Sequence, residues 1–215
     1  MPTPTFFNLP ERKRQMITEL AIAEFATADY DSASISNIVK QAKIAKGSFY
    51  QYFQDKRDLY LYLIDLASER QMAFIQTTHP EPPGNFFETL RWLFRTSVQF
   101  NLQHPELSQI INRAAYGSSS LRMEALERSQ TPARQYIHQL VEKGLAAGDL
   151  QPDLDPDLAT FIIVTAGDNL RYYIPEKLGL STTKLAAGTE TNIDLQAVEQ
   201  IFDDLIQVFR HGIGH

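Results

Sequence analysis

The sequence contains no cysteine among its 215 residues, and this absence excludes disulfides and thiolate metal sites. It also lacks a run of about 18 apolar residues, the length that a membrane-spanning helix requires. The N-terminal segment places its charged residues after two phenylalanines, which is the reverse of a signal peptide. These absences favour a soluble, cytoplasmic protein.

Sequence signatures of common enzyme classes are missing as well. The chain has no phosphate-binding loop, no dinucleotide fingerprint and no paired-histidine motif. Scattered serine, histidine and aspartate residues do not define a catalytic triad without geometry. Five histidines occur, at spacings unlike those of a metal site: His79, His104, His138, His211 and His215. We therefore expect no enzyme activity, no metal and no cofactor.

Acidic residues are distributed unevenly along the chain. The formal net charge is −6. Residues 1–58 nevertheless hold eight Lys and Arg against seven Asp and Glu, whereas residues 59–215 hold twelve against nineteen. The acidity therefore belongs to the larger C-terminal part. The N-terminal part can still present a basic face that binds a polyanion with salt-sensitive affinity.

Apolar residues recur at helical spacing through most of the chain, and no strand pattern competes with them. Pro132 is expected in the first turn of its helix, with Thr131 as the cap. A breaker cluster at 79–84 and a polar loop at 179–193 interrupt the pattern. The sequence thus predicts an all-α fold. The expected helices are 11–28, 35–42, 46–53, 56–76, 85–103, 105–116, 119–130, 132–147, 156–178 and 194–211.

Residues 34–59 carry the most specific signal, because they predict two short helices joined by a tight turn at 43–45. Ser34 can cap the first of these helices, and Asp55 can cap the long helix that follows. A small apolar core is expected from Phe25, Ile38, Ile44, Phe49 and Phe53. This is the build of a helix-turn-helix, which places its second helix in the DNA major groove.

The outer side of the second helix carries side chains that can read bases or grip phosphates. Lys can donate to guanine and Gln can bond adenine. Gly47 costs about 1 kcal/mol relative to Ala inside a helix, which a close approach of DNA would explain. Tyr50, Tyr52 and Lys56 are expected to face outward, where they suit phosphate oxygens. The predicted DNA contacts are Ser34, Ser36, Lys46, Gly47, Ser48, Tyr50, Gln51, Tyr52 and Lys56.

The first 60 residues resemble the N-terminal domain of the tetracycline-repressor-like (TetR) family of bacterial transcriptional regulators. Three positions depart from the family pattern: Lys43 replaces a turn glycine, Ala45 a common serine cap, and Asp29 a glycine before Tyr30. The family spacing is kept throughout. The matching residues are Phe25, Ser34, Ile38-Val39, Ala42-Lys43-Ile44, Gly47-Ser48-Phe49-Tyr50, Tyr52-Phe53 and Lys56-x-x-Leu59.

This resemblance implies a DNA-binding domain at 1–55 and a ligand-binding and dimerisation domain at 56–215. Residues 60–215 match the family only in the number, length and order of helices. The family implies a homodimer through helices at about 156–178 and 194–210, a palindromic operator and a small-molecule effector. The candidate faces for the dimer contact contain Leu158, Phe161, Ile162, Thr165 and Asn169 on one helix, and Ile201, Leu205, Val208 and Phe209 on the other.

An aromatic-rich C-terminal part with a few polar groups suits a small-molecule cavity. Each of these residues taken alone also suits an ordinary core or surface position. The predicted ligand contacts are Trp92, Asn112, Tyr116, Tyr136, Asp168, Asn169 and Tyr172.

Two functions remain open at this stage. The first is a homodimeric transcriptional regulator, a repressor released from its operator by a ligand. The second is a helical small-molecule-binding or adaptor protein whose DNA-binding head has lost its function. The departures at Lys43 and Ala45 and the acidic total charge motivate the second hypothesis. Salt-sensitive binding to DNA upstream of its own gene would discriminate between them.

Overall fold

The computed structural model describes residues 1–78, 84–116, 120–181 and 194–213, without the side chains of residues 115, 116 and 213. The described residues form helices and no strand, so the predicted all-α fold is confirmed. Residues 79–83 of the expected breaker cluster at 79–84, and residues 182–193 of the expected loop at 179–193, lie outside the described residues. The helices are α1 (Pro4–Phe7), α2 (Glu11–Thr27), α3 (Ile35–Gln41), α4 (Lys46–Tyr52), α5 (Lys56–Thr78), α6 (Phe86–Gln103), α7 (Pro105–Tyr116), α8 (Arg122–Ala147), α9 (Pro156–Leu178) and α10 (Leu195–Ile213).

The described residues fall into two compact units. The first contains Met1–Arg70 and Glu106–Gln130, and the second contains the described parts of Gln71–Pro105 and Thr131–His215. Helices α5 and α8 each contribute residues to both units. The domain boundary expected between residues 55 and 56 stays a prediction.

The first unit is built around the apolar sides of α2, α3 and α4. Phe25, Ile38 and Phe49 are each 1% exposed and Phe53 is fully buried, as the helical spacing predicted. Ile44 is only partly buried. The contacts among these side chains fix the two short helices against the longer ones, because helices of seven residues have little stability in isolation.

Side-chain caps set where two of these helices begin. The Ser34 hydroxyl accepts a hydrogen bond from the main-chain N–H of Asn37 at 3.3 Å, which starts α3. The carboxylate of Asp55 accepts from the N–H of Asp58 at 2.8 Å, at the start of α5. Both caps satisfy N–H groups that have no partner within a helix.

The second unit has its own core, formed largely by α6, α8, α9 and α10. Leu90, Val141, Ile163 and Phe202 are at most 1% exposed. Arg91 of α6 connects to the last helix through a hydrogen bond with the carboxylate of Glu199 at 2.8 Å and another with Asp203. The guanidinium holds the pKa of Asp203 below its ordinary value.

Two local predictions need correction. Helix α8 runs without a break through Pro132, which was expected to open a new helix with Thr131 as its cap. A proline removes one hydrogen bond from a helix, and buried residues on both sides, Ala125 and Ile137, hold the helix together around it. The short helix α1 was not predicted at all. Its phenylalanine Phe6 is fully buried in the first unit.

Within the described stretches, no helix is both long enough and apolar enough to cross a membrane. Within the same stretches, no group of three or more histidine, aspartate or glutamate side chains is placed to hold a metal ion.

Candidate nucleic-acid interface

Helix α4 has one buried side and one exposed side. Phe49 lies on the buried side, and Phe53 follows at the end of the helix. Lys46, Gly47 and Gln51 are exposed, and Tyr50 is 54% exposed, which is unusual for so large an aromatic side chain. The predicted reading residues therefore share an exposed surface, and Ser48 lies partly buried beside them.

Gly47 has open space where a side chain would be. Apart from its chain neighbours and the backbone of α4, a Cβ atom built at this position meets no atom of the described residues within 4 Å, whereas a Cβ at Gly144 would come within 2.9 Å of the Phe86 ring. Packing of the chain against itself therefore requires a glycine at Gly144 but not at Gly47. A partner that approaches the backbone of α4 closely would give a reason for the glycine there.

The turn of the helix-turn-helix keeps a left-handed residue at Lys43. Its φ is +53°, in the region that glycine adopts most easily. The N–H of Ile44 donates to the carbonyl of Val39 at 3.1 Å, and this bond closes the turn. Lysine, at the position where the family pattern has a turn glycine, therefore adopts a left-handed backbone conformation at a steric cost.

Tyr52 is not on the exposed side, and the expectation that it faces outward is wrong. It is 5% exposed, and its ring lies 6.2 Å from that of Phe6, centroid to centroid. The reason is α1, which covers the end of α4. Helical periodicity within α4 gave no indication of that cover.

Ser34, Ser36 and Lys56 differ in how free they are to meet DNA. Ser36 is exposed, whereas the Ser34 hydroxyl already caps α3. The ammonium of Lys56 donates to the carbonyl oxygens of Asp31 at 3.0 Å and Ala33 at 3.2 Å. In this arrangement Lys56 holds the segment before α3.

The same segment, between α2 and α3, is also held by aromatic contacts. The Tyr30 ring lies 5.1 Å from the ring of Tyr60, and the ammonium of Lys56 lies 4.8 Å from the Tyr30 centroid. Burial raises the pKa of Tyr60 to about 12, so this phenol stays neutral. The entry to the helix-turn-helix is therefore a packed segment.

Arg113 of α7 contacts this segment within the first unit. Its Nε donates to the carbonyl of Ala26 at 3.1 Å, and its Nη2 donates to that of Thr27 at 3.3 Å. Its Nη1 pairs with the carboxylate of Asp29. Carbonyls at the end of a helix lack partners within it, and cations are favoured there, so Arg113 both caps and anchors α2. Helical spacing within α7 does not reveal this role.

The predicted ligand residues do not all fall in one unit. Asn112 is a partly buried residue of the first unit, and the side chain of Tyr116 lies outside the described residues. Trp92 and Tyr136 are partly buried against the core of the second unit. Burial raises the pKa of Tyr136.

The remaining three predicted ligand residues lie on α9. Asp168 accepts from the guanidinium of Arg171 at 3.0 Å. Asn169 is exposed and donates to the carbonyl of Thr165 at 2.7 Å, and Tyr172 is 37% exposed. Asn169 and Tyr172 therefore lie at the surface of the chain and not in its core.

Helix α9 presents an exposed apolar face on the second unit. Leu158 is 54% exposed, Phe161 55%, Ile162 42% and Tyr173 50%. Residues three and four apart share a side of a helix, so these side chains form one stripe. The members of the stripe are Leu158, Phe161, Ile162, Thr165, Asn169, Tyr172 and Tyr173.

The candidate face of α10 is smaller than expected. Val208 is 68% exposed, but Ile201 and Phe209 are buried in the core of their own unit. Leu205 packs partly buried against the same core. The expectation that Ile201 and Phe209 belong to an outward face is therefore wrong, because they fill the interior.

A helix-turn-helix with an exposed polar face on its second helix, in an otherwise helical chain, defines the class of DNA-binding transcriptional regulators. The model for bacterial regulatory proteins of the tetR family matches residues 17–63, and the tetracyclin repressor-like C-terminal domain model matches residues 84–207. The chain therefore belongs to the tetR family of bacterial regulatory proteins.

Individual proteins agree with this assignment. A TetR family transcriptional regulator from Chloroflexus aurantiacus J-10-FL is 39% identical, with 100% of this chain and 99% of that chain covered and a TM-score of 0.76. The HTH-type transcriptional repressor KstR2 of Mycobacterium tuberculosis H37Rv is 27% identical over 76% of this chain and 82% of its own length.

A third similar protein has a structure with a bound ligand. FadR of Bacillus subtilis, in complex with stearoyl-CoA, shares the fold at 21% identity and a TM-score of 0.67, with 89% of this chain and 96% of that chain covered. The predicted family and the predicted function as a transcriptional repressor of the helix-turn-helix type are confirmed.

Proposed function

We propose that the chain binds a palindromic operator as a homodimer and leaves it when a small molecule occupies the second unit. The observation that carries this proposal is the exposed surface of α4, on which Lys46, Gly47, Tyr50 and Gln51 lie together above a buried aromatic core. The proposed role of the chain is regulatory and not catalytic. The chain is proposed to act in the cytoplasm, where bacterial DNA is found.

The residues of this surface divide by chemistry. Lys46 and Gln51 carry the donors and acceptors that recognise base edges in the major groove. Tyr50 and Ser36 are suited to phosphate oxygens, which set the register of the protein on the duplex. Tyr52 has no part in direct contact, since its ring is buried.

The dimer is proposed to form through the apolar stripe of α9. Exposed apolar area of this kind is costly in water and marks an interaction surface. Two copies meeting through the same face are related by a two-fold axis. Helix-turn-helix dimers bind half-sites about one DNA turn, roughly 34 Å, apart. A two-fold axis is the reason to expect a palindromic operator.

The proposed effector binds near Trp92 and Tyr136, which are the partly buried aromatic residues among the predicted ligand contacts. Asn169 and Tyr172 suit the dimer face better, because both are exposed on α9. A ligand shifts the protein between two states only through different affinity for them. Helix α7 begins at Pro105 in the second unit and carries Arg113 in the first unit, where Arg113 holds the end of α2, so this helix offers a route for that shift.

A gel-shift titration tests the proposal directly. The full chain is titrated onto DNA taken from upstream of its own gene, at several stated salt concentrations, with and without candidate effectors. Stearoyl-CoA is a rational first compound because it is bound by FadR of Bacillus subtilis. Salt-sensitive binding that an added compound reverses is expected. A chain that binds compounds but no DNA at any salt concentration would instead be a small-molecule-binding protein.

A further inference from the structure

The carbonyl groups at the end of α4 need hydrogen-bond partners from outside the helix. It has seven residues, and the last carbonyl groups of any helix lack partners within that helix. A helix this short has little stability of its own in water. Any group that supplies partners to those last carbonyls therefore contributes to the position of the helix.

Thr3 supplies two of these partners. Its main-chain N–H donates to the carbonyl oxygen of Tyr52 at 2.8 Å. Its hydroxyl donates to the carbonyl oxygen of Gln51 at 2.6 Å. Both bonds join residues that are almost fifty positions apart in the sequence.

The hydroxyl of Thr3 does not cap the helix that follows it. Thr3 is the residue that precedes α1, where a threonine side chain ordinarily accepts a bond from an N–H of the helix it starts. In this described segment the cap bond is not formed, and the hydroxyl serves α4 instead.

Phe6 fixes the segment that carries Thr3. It is fully buried, with its ring centroid 4.8 Å from that of Phe53 and 5.6 Å from that of Tyr62. The guanidinium of Arg14 donates to the carbonyl of Phe7 at 2.8 Å and closes the end of α1. Phe6 thus anchors the segment next to α4, with Thr3 in hydrogen-bond contact with the end of that helix.

We propose that Thr3 is a positioning residue for DNA recognition. It holds the last turn of α4, and with it the exposed side chain of Gln51, in the geometry that base contact requires. It acts through Gln51 and Tyr52 and contacts no DNA. The family model begins at residue 17, so it gives no reason to expect this arrangement. The inference rests on the proposed function, because it assigns α4 to base reading.

Three variants of the full chain isolate the hydroxyl of Thr3. Thr3→Val keeps the branched shape and removes the donor, and Thr3→Ser restores the donor. Thr5→Val makes the same substitution at an exposed position of α1 and serves as the matched control. Each variant is compared with the unaltered chain by fluorescence anisotropy.

Two labelled DNA duplexes are used as probes. One is enriched by the unaltered chain from a random-sequence library, and the other is an unrelated duplex of the same length. We expect Thr3→Val to bind the enriched duplex about three- to tenfold more weakly, the worth of one hydrogen bond. Its affinity for the unrelated duplex should not change, because backbone contacts do not depend on the exact placement of Gln51. Thr3→Ser and Thr5→Val should bind both duplexes like the unaltered chain.

Other results overturn the inference. Unchanged affinity of Thr3→Val for the enriched duplex would show that the bond does not position α4. An equal loss on both duplexes, or no rescue by Thr3→Ser, would show a general structural role. If the unaltered chain enriches no duplex, the proposed function itself fails, and the inference fails with it.

Hydrogen exchange gives a second measurement that does not need DNA. In Thr3→Val, amides at the end of α4 should exchange faster while those of α2 keep their protection, because only the last turn loses a partner. A uniform loss of protection across the first unit would contradict a local positioning role.

Discussion

The guanidinium of Arg113 pairs with the carboxylate of Asp29, and this contact joins α7 to the segment that leads into the helix-turn-helix. Arg113 also caps α2 through the carbonyls of Ala26 and Thr27. Lys56 holds the other end of the segment through Asp31 and Ala33. A displacement of α7 would therefore shift the segment that leads into α3.

Replacement of Arg113 should weaken the effector response more than it weakens DNA binding. Arg113→Ala removes a partly buried guanidinium that donates to three acceptor oxygens. We expect the free energy of unfolding to fall by about 1 kcal/mol. The change in operator affinity that the effector causes should shrink at least about threefold, because α7 would lose its contacts with the end of α2 and with Asp29. Anisotropy titrations with and without effector measure this change.

Arg70→Ala is the control for this experiment, because Arg70 is an exposed arginine of the same unit. A double-mutant cycle with Asp29→Asn measures how much of the effect passes through the ion pair. Additive effects of Asp29→Asn and Arg113→Ala on the effector response would argue against the coupling route.

Gly47→Ala should separate stability from DNA binding. Alanine favours a helix over glycine by up to about 1 kcal/mol, and the structure has room for the new methyl group, so the melting temperature should rise or stay unchanged. Operator affinity should fall, because the methyl group occupies the space into which DNA is proposed to come. Calorimetry and anisotropy measure the two effects.

Gly144→Ala provides the contrast, since its Cβ would meet the Phe86 ring. It should lower the melting temperature through packing alone. Unchanged operator affinity in Gly47→Ala would show that DNA does not closely approach the backbone of α4 at this position.

Lys43→Gly should stabilise the first unit. Lys43 adopts a left-handed backbone conformation that costs a residue with a side chain roughly 1 kcal/mol, and glycine relieves that cost. Lys40→Gly, the same substitution inside α3, should destabilise the protein by about 1 kcal/mol instead. Urea unfolding of both variants checks the prediction. A stability loss in Lys43→Gly would show that the lysine side chain makes a compensating contact.

Phe161→Glu should break the proposed homodimer. Phe161 is 55% exposed in the middle of the apolar stripe, so a charge there would be buried without a partner in a dimer but costs little in a monomer. Analytical ultracentrifugation should show monomers for this variant and dimers for the unaltered chain. Met123→Glu is the control, because Met123 is 74% exposed and lies outside the stripe. Dimers that persist in Phe161→Glu would place the interface elsewhere.

The sequence predicted the helix-turn-helix well because its signals are local. Helical spacing identified the buried Phe25, Ile38 and Phe49, and Ser34 marked the start of α3 through a cap that needs only three neighbouring residues. The resemblance to the TetR family rested on the same short string. Such signals do not depend on contacts with distant parts of the chain.

The incorrect predictions concern positions that depend on contacts with distant parts of the chain. Tyr52 was expected outside because nothing in its own helix revealed that α1, almost fifty residues earlier, would cover it. Pro132 was expected to start a helix because proline is common in a first helical turn. Its tolerance within α8 depends on the burial of residues on both sides, which local sequence does not show. The contacts of Arg113 and the burial of Phe209 also depend on packing between distant segments, which periodicity does not encode.

Selection of DNA from a random-sequence library measures whether the exposed side of α4 reads bases. The unaltered chain and Lys46→Ala are each used to enrich duplexes, and the affinity for the enriched duplex is measured over a range of salt concentrations. Base reading by a two-fold symmetric dimer predicts an inverted repeat with half-sites about one turn apart, a logarithm of the affinity that falls linearly with the logarithm of salt concentration, and relaxed preference at one base pair per half-site in Lys46→Ala. Failure of the unaltered chain to enrich any sequence, or enrichment that Lys46→Ala leaves unchanged, would contradict it.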